Sequence, residues 1–146
     1  GYDVLICDLD AMWIRNLWPI ITRELFYAGP KATGAGADII SSRGEYPEEV
    51  TSLLGASLCF GFMYLKSVPV TQKLWTFFKN RMHKINSADD QRAFNRALLH
   101  YFLRYRKRPR IVGYDNPDYG IVELPPDVVR PIRNRRHVLR IALLGH

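Results

Sequence analysis

Residues Leu58 to Lys66, L-C-F-G-F-M-Y-L-K, are apolar at nearly every position and show no polar alternation. A run of this kind reads as a strand covered on both faces, which requires packed layers above and below it. It is too short to cross a membrane, which takes about 18 to 20 apolar residues. No other run in the 146 residues approaches that length. No signal-peptide pattern opens the chain. A hydrophobic fraction of 47% and an aromatic fraction of 12% exclude disorder for the whole and suit one domain with a buried core.

Short apolar runs and helix-period segments alternate along the rest of the chain. Residues 3–7 end an apolar run in Asp8-Leu9-Asp10, as a buried strand leading into a polar loop does. The chain opens on Gly1 rather than Met, which reads as a strand whose upstream context has been cut away. Ala11 to Tyr27 reads as partly helical, and Gly29 to Gly36 as a surface loop. Ala37 to Ser42 is a second strand. Pro69 suits a first helical position, with Val70, Leu74, Phe77 and Phe78 on one face before an end near Lys84. Ser87 with Asp90 makes a capping-box-like start for the next helix, whose apolar face is Phe94, Leu98 and Phe102. Arg110 to Val112, Ile121 to Leu124 and His137 to Leu144 are strand candidates. Strands interleaved with helices predict an α/β fold with a mixed, mostly parallel sheet flanked by helices.

The formal charge of +7 is unevenly placed. Residues 101–146 hold ten Lys/Arg against four Asp/Glu, a net of +6, while residues 1–100 are close to neutral. A basic end of this kind attracts phosphates, nucleic acid or acidic surfaces without choosing among them. Arg104 to Arg110 and Arg130 to Arg136, with Tyr101 and Tyr105 between cations, offer a reading as a nucleic-acid-binding module. Cys7 and Cys59 lie inside apolar runs, where free buried thiols are the default and one disulfide remains open.

Asp8 and Asp10 are the strongest chemical signal. Two carboxylates flanking one residue at a strand's end project toward the cleft outside the sheet, where ligands bind in open α/β folds. Such carboxylates repel each other unless a cation lies between them. A hard divalent metal with oxygen ligands relieves that repulsion and bridges to phosphate oxygens. Without a metal, the pair simply caps a loop. No Ser-His-Asp or Cys-His spacing stands out, and Gly29 to Gly36 lacks the Lys-Ser/Thr of a phosphate loop. Trp13 and Trp75 suit the core, Asn95 a structural hydrogen bond, and His83 and His100 a helix surface.

Two enzyme families place Asp-x-Asp after such a strand. Haloacid-dehalogenase-like phosphatases use the first Asp as nucleophile and usually carry Thr or Val two places after the second, where this chain has Met12. They also carry a late acidic pair after another apolar strand, whereas Asp89-Asp90 opens a helix. The second resemblance covers more of the chain. Gly1 to Asn16 resembles the metal-binding segment of nucleotide-diphospho-sugar transferases, glycosyltransferases of the GT-A type: an apolar strand, Asp-x-Asp, two small or apolar residues and Trp. Ala37-Asp38-Ile39-Ile40 looks like that family's alanine-aspartate strand, and Leu58-Cys59-Phe60-Gly61-Phe62-Met63-Tyr64 like its Gly-Phe-Met-Tyr strand. Asp90-Gln91-Arg92-Ala93-Phe94-Asn95 is similar to its Asp-Gln-x-x-Phe-Asn helix start, and Ile121 to Pro125 to a late strand ending in Leu-Pro.

The resemblance implies a transferase that moves a hexosyl or pentosyl group from a nucleotide-sugar to a hydroxyl on a glycan or glycoprotein, with retained configuration. It implies that manganese or magnesium is held by Asp10 and Asp8, with His146 as a further ligand. Trp13 and Gly61 would border the donor, and Asp90 and Gln91 the transferred sugar. By the same resemblance, residues 1–146 are one partial catalytic domain, its metal and acceptor side. Such a part would have weak or no activity alone and no nucleic-acid partner. The full-length form would stand in the Golgi lumen, a type II protein on an anchor upstream of Gly1.

Overall fold

The computed structural model describes residues 1–12, 14–19, 22, 37–85, 89–103, 110–112, 119–124 and 139–144. In chain order the elements are β1 (Val4–Cys7), β2 (Ile39–Gly44), α1 (Glu48–Leu54), β3 (Ser57–Leu65), α2 (Pro69–Ile85), α3 (Asp90–Leu103), β4 (Arg110–Val112), β5 (Tyr119–Leu124) and β6 (Leu139–Leu144). The strands form one sheet in the order β1-β3-β2-β6-β5-β4. The α/β class and mixed sheet are as the sequence predicts.

The expectation of a mostly parallel sheet is corrected. Among the described residues only β2 and β6 pair parallel, and the other four ladders are antiparallel. The turn-back between β2 and β3 shows why. Its helix, α1, has seven residues and so spans only about 10 Å, short of the ~20 Å of a six-residue strand. The chain cannot return along the sheet within α1, so β3 runs back beside β2. The local signals for helix α1 are present in the sequence. Pro47 precedes it, Glu48 and Glu49 fill its first turn, and Gly55 ends it at φ 79° in the left-handed region that glycine adopts at no cost.

Helices α2 and α3 cover one face of the sheet. Val70, Leu74 and Phe78 of α2 meet Ala93, Phe94, Ala97 and Leu98 of α3 over Leu58, Phe60 and Met63 of β3. Phe94 is fully buried, with ring centroids 5.3 Å from Phe60 and 5.2 Å from Phe78. Trp75 is half-buried against Phe78 at 5.1 Å, a core position as its sequence context predicts. The other face carries a smaller cluster of Ala37, Ile40, Phe62, Tyr64 and Ala142, with Leu17 packed on it.

β3 does not keep a simple alternation. Ser41 pairs with Met63 but the next residue, Ser42, pairs with Cys59, so Phe60, Gly61 and Phe62 form a bulge. The bulge shifts side-chain parity, and this lets Phe60 and Met63 both face α2 and α3 while Phe62 faces the opposite side. The Ser41 hydroxyl stitches the bulge's base: it accepts from Cys59 N–H at 3.0 Å and lies 3.0 Å from the Cys59 and Ser42 carbonyls, to one of which it donates.

Candidate functional site

Strand β1 pairs with β3 only over Val4–Cys7 and Phe62–Leu65. Its start is pinned by Asp3, which accepts from the Ser67 N–H at 2.7 Å and from the Tyr64 hydroxyl. Those two donors hold the Asp3 carboxyl below the usual carboxylate range, and burial with the Asp3 contact pushes the Tyr64 phenol up. Beyond Cys7 the chain turns tightly, with Ala11 N–H donating to the Asp8 carbonyl at 3.2 Å. The turn leaves the side chains of Asp8, Leu9 and Asp10 exposed, as a loop at a sheet edge must when it carries two charges.

Asp8 and Gly61 come together. A Cβ on Gly61 would lie 3.6 Å from an Asp8 carboxylate oxygen and 3.4 Å from the Cys59 sulfur. The bulge therefore presents bare backbone to the first carboxylate of the Asp-x-Asp turn, and close approach to backbone is what a strand glycine permits. Beside it opens a cleft of about 340 Å³ between Ala11, Met12, Ile14, Arg15 and Leu17 on one side and the sheet on the other. Met12, Ile14, Leu17 and Phe62 give it apolar walls, Gly61 borders it, and Ser42 and Arg15 are its polar members.

The start of α3 reaches the same bulge from the other side. Where β1 has ended, the free edge of β3 is paired by side chains. The Asn95 amide accepts from Leu58 N–H at 2.8 Å and donates to the Leu58 carbonyl at 2.7 Å and the Gln91 carbonyl at 2.9 Å. Gln91 accepts from Phe60 N–H at 3.2 Å and donates to the Tyr46 carbonyl at 3.1 Å. Asn95 is thus the structural hydrogen-bonder its helix position suggests. Both ends of the Gln91 amide are engaged by backbone, so the chain of contacts runs from Asp8 through Gly61 and Phe60 to Gln91.

The helix cap differs from the sequence reading. Asp89 accepts from Arg92 N–H at 2.7 Å and its carbonyl takes the first helical bond, from Ala93 at 3.1 Å, which makes Asp89 the N-cap. Ser87 lies outside the described residues. Asp90, freed from capping, is exposed and accepts from Gln91 N–H at 2.7 Å. Trp13, His146, Arg104 to Pro109 and Arg130 to Arg136 also lie outside the described residues. His100 is exposed on α3 and stacks on Phe77, ring centroids 5.8 Å apart and 10° from parallel. Cys7 and Cys59 are both free thiols.

Asp8 and Asp10 suit a hard cation: they are two exposed carboxylates on one turn. Magnesium-like ions are commonly held by one or two carboxylates plus substrate phosphates. Among the described residues no group of three or more His, Cys, Asp or Glu converges, so the pair would need ligands from a substrate or from elsewhere. Sequence reasoning passed over Ser41, which sets the bulge, and Arg15, which lines the cleft. The signal available for Arg15 was its place five residues beyond Asp10.

A family model described as nucleotide-diphospho-sugar transferase matches residues 1–122. That span takes in the first four motif segments whole and ends inside the fifth. No curated protein and no solved structure matches the chain.

Proposed function

The chain belongs to the nucleotide-diphospho-sugar transferase family, and on that premise we propose that Asp8 and Asp10 hold manganese or magnesium for transfer of a sugar to a hydroxyl acceptor. The observation that carries this reading is the Asp-x-Asp turn set against Gly61, with Gln91 tied to the adjoining Phe60. A bound divalent ion would bind the donor diphosphate and act as a Lewis acid toward the leaving nucleotide. The phosphatase alternative loses its ground once the family is established.

In this reading Asp8 contacts the ion or the donor ribose, and Asp10 binds the ion directly. Gly61 leaves room for the donor, and Asp90, exposed at the start of α3, contacts the transferred sugar. Gln91 serves by fixing the bulge and the Tyr46 loop at their observed spacing. Ligation by His146, a donor contact from Trp13, retention of configuration and a glycan or glycoprotein acceptor belong to the same proposal. So does a Golgi location with an upstream anchor; no helix among the described residues is long and apolar enough to cross a membrane.

Calorimetric titration with manganese and UDP tests the proposal. We expect nucleotide binding that requires the metal and is lost in Asp10→Ala, while the unfolding free energy of that exposed-site variant stays within about 0.5 kcal/mol of wild type. Nucleotide binding indifferent to both metal and Asp10 would sink the metal-dependent reading.

A further inference from the structure

The inference here rests on the transferase reading and adds a residue to it. In the transfer, the bond from sugar C1 to the diphosphate oxygen breaks with its electron pair left on that oxygen. C1 then bonds to the acceptor oxygen, and the acceptor proton passes to the departing diphosphate. Until that proton arrives, the diphosphate carries one more negative charge than in the donor.

Asp8 and Asp10 bring two negative charges to the site, which a divalent cation between them cancels and does not exceed. Charge developing on the diphosphate therefore calls for a further fixed cation. Among the described residues lining the cleft beside Gly61, Arg15 is the one cation. It is exposed, and the one salt bridge among the described residues, between Arg96 and Glu49, does not involve it. Arg43, on the neighbouring strand β2, commits its guanidinium to the Gly55 carbonyl at 3.3 Å.

We propose that Arg15 binds the donor's diphosphate from the cleft side, opposite the Asp8–Asp10 turn. A guanidinium presents a planar fork of donors that matches two phosphate oxygens at once, and it stays charged at every working pH.

Titrating wild type, Arg15→Ala and Arg15→Lys with UDP and GDP, each beside its monophosphate, in manganese tests the assignment. The better-bound diphosphate should weaken about tenfold or more in Arg15→Ala, its monophosphate should weaken less, and Arg15→Lys should recover part of the loss. Unchanged diphosphate affinity in Arg15→Ala overturns the assignment, and so does an equal loss for mono- and diphosphate. Absence of any nucleotide binding by wild type overturns the transferase reading and this one together. Binding that Asp10→Ala abolishes but Arg15→Ala leaves intact overturns this one alone.

Discussion

β1 and β3 are hydrogen-bonded neighbours of similar composition, yet their apolar side chains end in opposite environments. Phe60, Phe62, Met63 and Tyr64 of β3 are all buried, whereas Val4 and Leu5 of β1 are 47% and 42% exposed. The contrast continues past β1, where Leu9, Met12, Ile14 and Trp18 are exposed as well. Position in the sheet order decides this, not apolar content. Among the described residues β3 has a strand on each side and α2 and α3 across one face, while β1 ends the sheet and has one partner. The candidate site lies on the boundary between the two regions. The buried region supplies fixed geometry through the bulge, Asn95 and Gln91. The exposed region supplies the carboxylates, Arg15 and most of the cleft wall.

The contrast predicts a wide gap between equivalent truncations. Phe94→Ala should cost about 3–5 kcal/mol, whereas Leu5→Ala should cost less than about 1 kcal/mol. Chemical denaturation of both variants measures the gap, and equal losses would mean that β1 is as well packed as β3. Asn95→Ala tests the boundary itself. It leaves the Leu58 N–H and carbonyl buried without partners, at about 1–3 kcal/mol, and loosens α3 on β3 by leaving the bond from Phe60 N–H to Gln91 to hold that contact. Hydrogen exchange at Leu58 and Phe60 should rise in that variant and stay unchanged in Leu5→Ala.

The smallest effect concerns the pin at the start of β1. The Ser67 and Tyr64 donors hold the Asp3 carboxyl below its ordinary value. A group with a depressed native pKa adds stability above its unfolded pKa of about 4 and loses it as pH falls through the native value. The melting-temperature difference between wild type and Asp3→Asn should therefore be constant near neutrality and narrow as pH drops below about 4. A difference that persists undiminished at pH 2 would place the stabilisation elsewhere. The residue is well exposed, so the whole effect should be small.

Much of the fold was legible because local chemistry governed it. The run Leu58 to Lys66 could only be an interior strand, and β3 spans Ser57–Leu65. Pro69 and the Val70-Leu74-Phe78 spacing marked α2, which spans Pro69–Ile85. The Asp-x-Asp turn and its Gly-Phe-Met-Tyr partner were legible as separate motifs, but their meeting was not. Cys7 pairs with Phe62 across a ladder between residues far apart in sequence, and no local pattern encodes such a register. The N-cap is Asp89, two residues past the Ser87 that the sequence suggests, because Ser and Asp both accept from a helix's first N–H groups and the sequence pattern does not choose between them.

The sequence by itself determined the element types, the family and the pair of carboxylates, because apolar periodicity and charge act through neighbours along the chain. Only the tertiary structure decided that the sheet is mainly antiparallel, that Gly61 sits in a bulge under Asp8, and that Gln91 grips backbone at both ends of its amide. Those outcomes depend on which strand edges remain unpaired. A buried backbone group without a partner costs more than a distant side chain costs to order. The free edge of β3 therefore recruited Asn95 and Gln91 from a helix more than thirty residues away.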